Sequence, residues 1–99
     1  MQYQEYDTVP EYETAFFDGS AITPKPGVLL WANDAPPPAI GTEIVVTING
    51  CGPAVVTGYF SQGPWLGLKT KLHNPPEWHV KQNKGNPNGH SFGPEFEIA

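Results

Sequence analysis

The stretch "GTEIVVTINGCGPAVVTGYFSQGPWLGLKTKL", residues 41–72, decides how the chain folds. Within "GTEIVVTIN", Ile44, Val46 and Ile48 fall on one face and Glu43, Val45 and Thr47 on the other, the two-residue period of a half-buried strand. "NGCGP" supplies a turn, because asparagine and glycine accept positive φ at little steric expense and proline presets the next bend. "AVVTGYF" follows, rich in β-branched and aromatic side chains, with Gly58 placed where a bulge or a sharp coil is expected. A second turn, "SQGP", leads into "WLGLKTKL", which sends Leu66, Leu68, Thr70 and Leu72 inward and Trp65, Gly67, Lys69 and Lys71 outward. The result is a meander of three strands. Strict alternation admits only one of the neighbours Tyr59 and Phe60 to the interior; Phe60 is the expected core ring, which leaves Tyr59 exposed.

Upstream, "TPKPGVLLWANDAPPPAI", residues 23–40, sets prolines on both sides of a short apolar segment. The triple proline is expected to run as polyproline II, a stiff connector, with Trp31 beside Leu29 and Leu30 as a buried anchor. Residues 1–22 mix acids with Tyr3, Tyr6, Tyr12, Phe16 and Phe17 and end near a turn-like Asp-Gly-Ser. Downstream, "HNPPEWHVKQNKGNPNGHS" is a 19-residue stretch without periodicity. It reads as a long irregular loop whose first half is pinned by Trp78. "FGPEFEIA" closes the chain as a short strand with Phe96 and Ile98 on one face.

Eleven glycines and twelve prolines among 99 residues leave little room for long helices. The longest apolar run, "GVLLWA", is far short of the roughly 20 residues that a membrane-spanning helix needs. The acidic N-terminus lacks the basic and apolar regions of a secretory leader, so the cytoplasm is the expected compartment. Cys51 is the sole cysteine, which excludes an internal disulfide and a Cys-rich zinc site.

Charge is concentrated at one end. Residues 1–35 carry six acids against Lys25, a net of −5, whereas residues 36–99 carry four acids and four lysines. The chain has no arginine, the preferred fork for phosphate and for guanine edges, which argues against nucleic-acid reading and phosphoryl transfer. Lys69, Lys71, Lys81 and Lys84 complement the acidic N-terminal zone and suggest a contact with it.

Motifs for chemistry are sparse. His73, His79 and His90 have spacings of six and eleven, matching no helix-borne or finger-type metal site, and no metal or other cofactor is expected. Cys51 lies between two glycines with no Cys-His-Asn pattern beside it. No GxxxxGK[ST] or helix-opening GxGxxG cradles a phosphate. The acid pairs Glu11/Glu13 and Glu95/Glu97 share strand faces and read as solvated edge charges. Aromatics are the exception: Tyr59, Trp65 and Trp78, with Lys69 and Lys71 nearby, are the expected lining of a binding groove, since large rigid rings give contact area at low entropic expense.

Short strands, tight turns and one long excursion before a last strand suit a small bent barrel whose closure removes exposed edges. The order "GTEIVV", "GPAVVTGYF", "WLGLKTKL", "FGPEFEI" resembles that of SH3-like barrels, including KOW-type modules. The resemblance implies an all-β fold, a barrel of about five strands over residues 41–99, and residues 1–40 as an acidic, proline-rich extension packed upon it. The function this implies is a non-enzymatic interaction or accessory module, of the kind carried on phages, plasmids and cassettes, that binds a protein or peptide partner through the aromatic groove, alone or as a homo-oligomer. In layout the same strands also resemble the type II dihydrofolate reductases, which share one pore among copies. Their Val-Gln-Ile-Tyr pore motif is absent here. A KOW-like nucleic-acid module is the third alternative and needs a basic face that four lysines hardly provide.

Overall fold

The computed structural model describes residues 3–15 and 25–99. Its centre is the meander read above: β4 (Glu43–Val46), β5 (Gly52–Gln62) and β6 (Trp65–Leu72). Asn49 and Gly50 both take positive φ, 52° and 70°, in the turn closed by Cys51 N–H donating to Ile48 O at 3.1 Å. Two consecutive positive φ angles match the right-handed twist of the strands they join, so β5 returns antiparallel along β4. Ile44 and Val46 of β4 and Leu66, Leu68, Thr70 and Leu72 of β6 all point into the core, as the alternation requires.

The sheet is larger than the expected five strands. Residues 41–99 do supply five, with β7 (Asn88–Phe92) and β8 (Phe96–Ile98) joining the meander; β1 (Tyr3–Tyr6), β2 (Tyr12–Thr14) and β3 (Leu29–Trp31) bring the total to eight among the described residues. The strand order is β2-β3-β6-β5-β4-β8, with β1 pairing β5 and β7 pairing β6. The sheet curls into a half-barrel. The first forty residues thus contribute strands to the same sheet. Trp31 is completely buried and its indole N–H donates to Ala35 O at 2.8 Å, which ties the proline-rich segment to the core. The expected turn at 18–20 and the rings of Phe16 and Phe17 lie outside the described residues.

The bulge predicted at Gly58 is present as a register shift between Val56 and Gly58 in the β5–β6 pairing. Its consequence corrects the reading of the two rings that follow. One extra residue reverses the parity of a strand, so Ala54 and Val56 point inward before the bulge and Tyr59 after it. Tyr59, expected outside, joins the main core cluster; it is 2% exposed, and its hydroxyl donates to Pro38 O at 2.7 Å. Phe60 is equally buried on the opposite face, under Tyr3 at 5.6 Å, His90 at 4.9 Å and Phe92 at 5.2 Å between ring centroids. Its space comes from Gly67 directly across the strands, where a Cβ would lie 2.3 Å from the Phe60 ring.

The excursion after Leu72 is not irregular. It holds a short helix, α1 (Glu77–Gln82), and then β7, which pairs with β6 from Gly67 to Lys71. The helix starts after Pro76, carries a Glu77–Lys81 pair at 3.0 Å and ends where Lys84 and Gly85 take positive φ. With six residues it is too short to be stable alone and depends on packing against the sheet. β8 places Phe96 in the core, but Ile98 runs past the end of the core and is 59% exposed.

Candidate functional site

The residues expected to line one groove are dispersed. Trp65 opens β6, half-buried, where it pairs with Leu30 of β3, whereas Trp78 stands on α1 beyond the other end of that strand. Seven residue steps along β6 separate the two ends by about 23 Å at the usual rise per residue. Tyr59 is interior. Lys69 points away from the core and forms an ion pair with Glu5 at 2.8 Å, a contact between the lysines and the N-terminal acids that the pairing of β1 with β5 brings within reach. Lys71 is exposed, opposite Asn88 of β7. The groove of Tyr59, Trp65 and Trp78 therefore does not assemble.

A different site does, around Trp78. A cleft of about 250 Å³ lies between α1, the β4–β5 turn, β6 and β7. Val46, Ile48, Cys51 and Leu72 give it an apolar side, and Thr70, His79, Asn83 and Ser91 a polar one. Trp78, 39% exposed, forms its rim; its indole N–H donates to Asn49 O at 3.1 Å, and its ring meets that of His79 edge-on at 5.4 Å. On its other side Trp78 borders an open depression with Asn49 and Gln82, so the ring is a ridge between two hollows.

The polar side of the cleft is unusual. Thr70 is 1% exposed and His79 6%, yet Thr70 Oγ1 and His79 Nδ1 have no hydrogen-bond partner. They are the two buried side-chain polar atoms of this kind among the described residues, and both their residues line this cleft. Folded proteins leave few such atoms, because each costs roughly 1–3 kcal/mol when buried unpaired. Asn83 Nδ2 does not serve them; it donates to the His79 backbone carbonyl at 2.9 Å. Burial pushes the Cys51 thiol above its ordinary pKa, with the Glu95 carboxylate acting in the same direction, which is the wrong direction for a thiolate nucleophile.

The outer face of the same strands carries a hydrogen-bonded chain. Tyr3 O–H donates to Glu5 Oε2 at 2.8 Å, so the Tyr3 oxygen accepts from His90 Nε2–H, also at 2.8 Å, while Lys69 Nζ holds the other Glu5 oxygen. The Lys69 contact, and then the Tyr3 hydroxyl, holds the Glu5 carboxyl below its ordinary pKa; burial pushes that of Tyr3 up to about 12, helped by the bond to Glu5, and burial lowers that of His90. This chain fastens β1 to β6 and β7, in addition to its backbone pairing with β5.

His73 stands apart from the cleft, bonded to Glu43 at 2.7 Å, while His79 and His90 both line it. Among the described residues no group of three or more His, Cys, Asp or Glu side chains is placed to hold a metal ion, and no helix is long and apolar enough to cross a membrane. Thr70 and His79 were visible in the sequence as an inward-facing polar residue on an alternating strand and as one of three loop histidines. That they meet depends on α1, which the sequence pattern does not announce.

No protein-family model, no curated protein and no solved structure matches the chain.

Proposed function

We propose that the chain is a non-catalytic binding module of SH3-like type that holds a partner peptide at the α1 cleft, with Trp78 as the ridge over which the peptide lies and one peptide side chain entering the cleft. The observation that carries this reading is the coincidence, in one hollow, of an exposed tryptophan and two buried polar atoms without partners. A concave site, apolar on one side with a few converging polar groups, is the usual form of a specific pocket, and tryptophan is over-represented among residues that dominate binding energy. A net charge of −5 without arginine supports a peptide over a nucleic acid. The raised thiol pKa of Cys51 supports binding without covalent chemistry.

Selection of a random-peptide display library on the full-length chain tests the proposal. Retained peptides should shift the Trp78 indole and the Asn49 and His79 amides in 1H–15N spectra. Trp78→Ala should remove retention while keeping a dispersed spectrum. Peptides that shift only residues distant from the cleft, or no retained peptide at all, would refute it.

A further inference from the structure

We infer that the cleft recognises an uncharged hydrogen-bonding side chain of the partner, a glutamine or asparagine carboxamide, and rejects carboxylates and ammonium groups. This rests on the binding-module reading. Thr70 Oγ1 can donate and accept, and His79 Nδ1 does one or the other according to its tautomer; both lack partners in the folded chain. A carboxamide presents a donor group and an acceptor side by side, so it can serve two different walls of one hollow at once.

Charge selects the same class of group. No Lys, Arg, Asp or Glu is among the residues that line the cleft. A charged side chain entering it would be stripped of water with no counter-charge to meet it, a far costlier transfer than that of a neutral amide that finds its hydrogen bonds. Lys69 and Glu5 line the adjoining hollow and are already paired with each other at 2.8 Å, while Glu95 acts on Cys51 from outside the lining.

Gly89 leaves the buried Thr70 hydroxyl uncrowded. It is the cross-strand partner of Thr70, and a Cβ built on it would lie 3.0 Å from Thr70 Oγ1 and 3.9 Å from the Leu72 side chain. Its φ is outside the left-handed region, so the backbone here does not require glycine. The space beside the hydroxyl is what a side chain at this position would remove.

The test titrates the 15N-labelled full-length chain with the N-methylamides of N-acetylglutamine, N-acetylglutamate and N-acetyllysine, so that only the first carries a primary carboxamide, and repeats the series on Gly89→Ala. The glutamine derivative is expected to shift the Thr70, His79 and Gly89 amides at concentrations at least about tenfold below the other two, the scale of one unmatched hydrogen-bonding group. Gly89→Ala should keep a folded spectrum and lose that preference. Equal response to all three probes, or a Gly89→Ala protein with unchanged preference, overturns the carboxamide inference while leaving the binding module intact. Silence of the cleft toward all three probes when display-selected peptides still shift it overturns the inference alone; silence toward the peptides as well overturns both.

Discussion

Thr70→Val is the sharpest perturbation of the cleft. The substitution replaces a hydroxyl with a methyl group of nearly the same shape, at a residue only 1% exposed whose oxygen has no partner. Because an unsatisfied buried hydroxyl costs roughly 1–3 kcal/mol, its removal should stabilise the fold by at least about 1 kcal/mol. In a domain of this size each kcal/mol raises Tm by about 4–8 °C, so a circular-dichroism melt should move up by at least that much. Thr70→Ser supplies the contrast. It keeps the hydroxyl and loses a methyl group worth about 0.8 kcal/mol of burial, so its melt should move down. The two variants should rank oppositely in function, with Val losing the preference for the glutamine probe and Ser retaining it. A valine variant that melts at or below the wild-type temperature would show that the hydroxyl is already satisfied, and the cleft would then hold no stored preference for a ligand. Most core polar-to-apolar changes at a working site trade function for stability in this way.

Three further outcomes follow from contacts elsewhere. Gly93→Ala should destabilise by more than the roughly 1–3 kcal/mol of ordinary overpacking, because the new Cβ would sit 2.6 Å from backbone atoms of Ala32 and the Asn33 Nδ2 bond to Gly93 O would be strained; urea denaturation measures it. Gly58→Val should detach β1 rather than unfold the sheet: Gly58 has no positive φ, and a Cβ there meets Tyr6 O at 3.2 Å, so amide exchange should accelerate at residues 3–6 while β4 and β6 stay protected. The docking of β1 should also be strongest between neutral pH and pH 10. Glu5 and His90, both with lowered pKa, favour the docked state at higher pH and lose that contribution as pH falls through their folded values; Tyr3, raised from 10.0 to about 12, contributes below pH 10 and loses it as pH rises toward 12. A flat exchange profile for β1 across pH 4–11 would contradict that assignment.

What the sequence disclosed, and what it withheld, divides along physical lines. The meander was legible because every second residue of β4 and β6, Ile44 and Val46, then Leu66, Leu68, Thr70 and Leu72, is buried, and Asn49-Gly50 fixes the turn between β4 and β5. The bulge was legible from Gly58, but its effect on the next two rings was not: counting by twos from Val56 reaches Phe60, and only the extra residue turns Tyr59 into the main core cluster. β1, β2 and β7 carry few apolar residues and owe their strand geometry to the neighbours they pair with, so local propensity is silent on them. The same holds for α1, held to the β4–β5 turn by the Trp78–Asn49 bond. The candidate site falls in this second category for a structural reason. It lies where a well-specified strand face, ending in Thr70 and Leu72, passes beneath an element whose position only tertiary contacts determine. If the Trp78 bond to Asn49 fixes that position, Trp78→Phe should keep a ring on the ridge, leave the melt of the sheet within a few tenths of a kcal/mol, and loosen α1. The readout is faster amide exchange at residues 79–83 with β5 and β6 unchanged. Equal protection of α1 in both proteins would assign its placement to the packing of His79 alone.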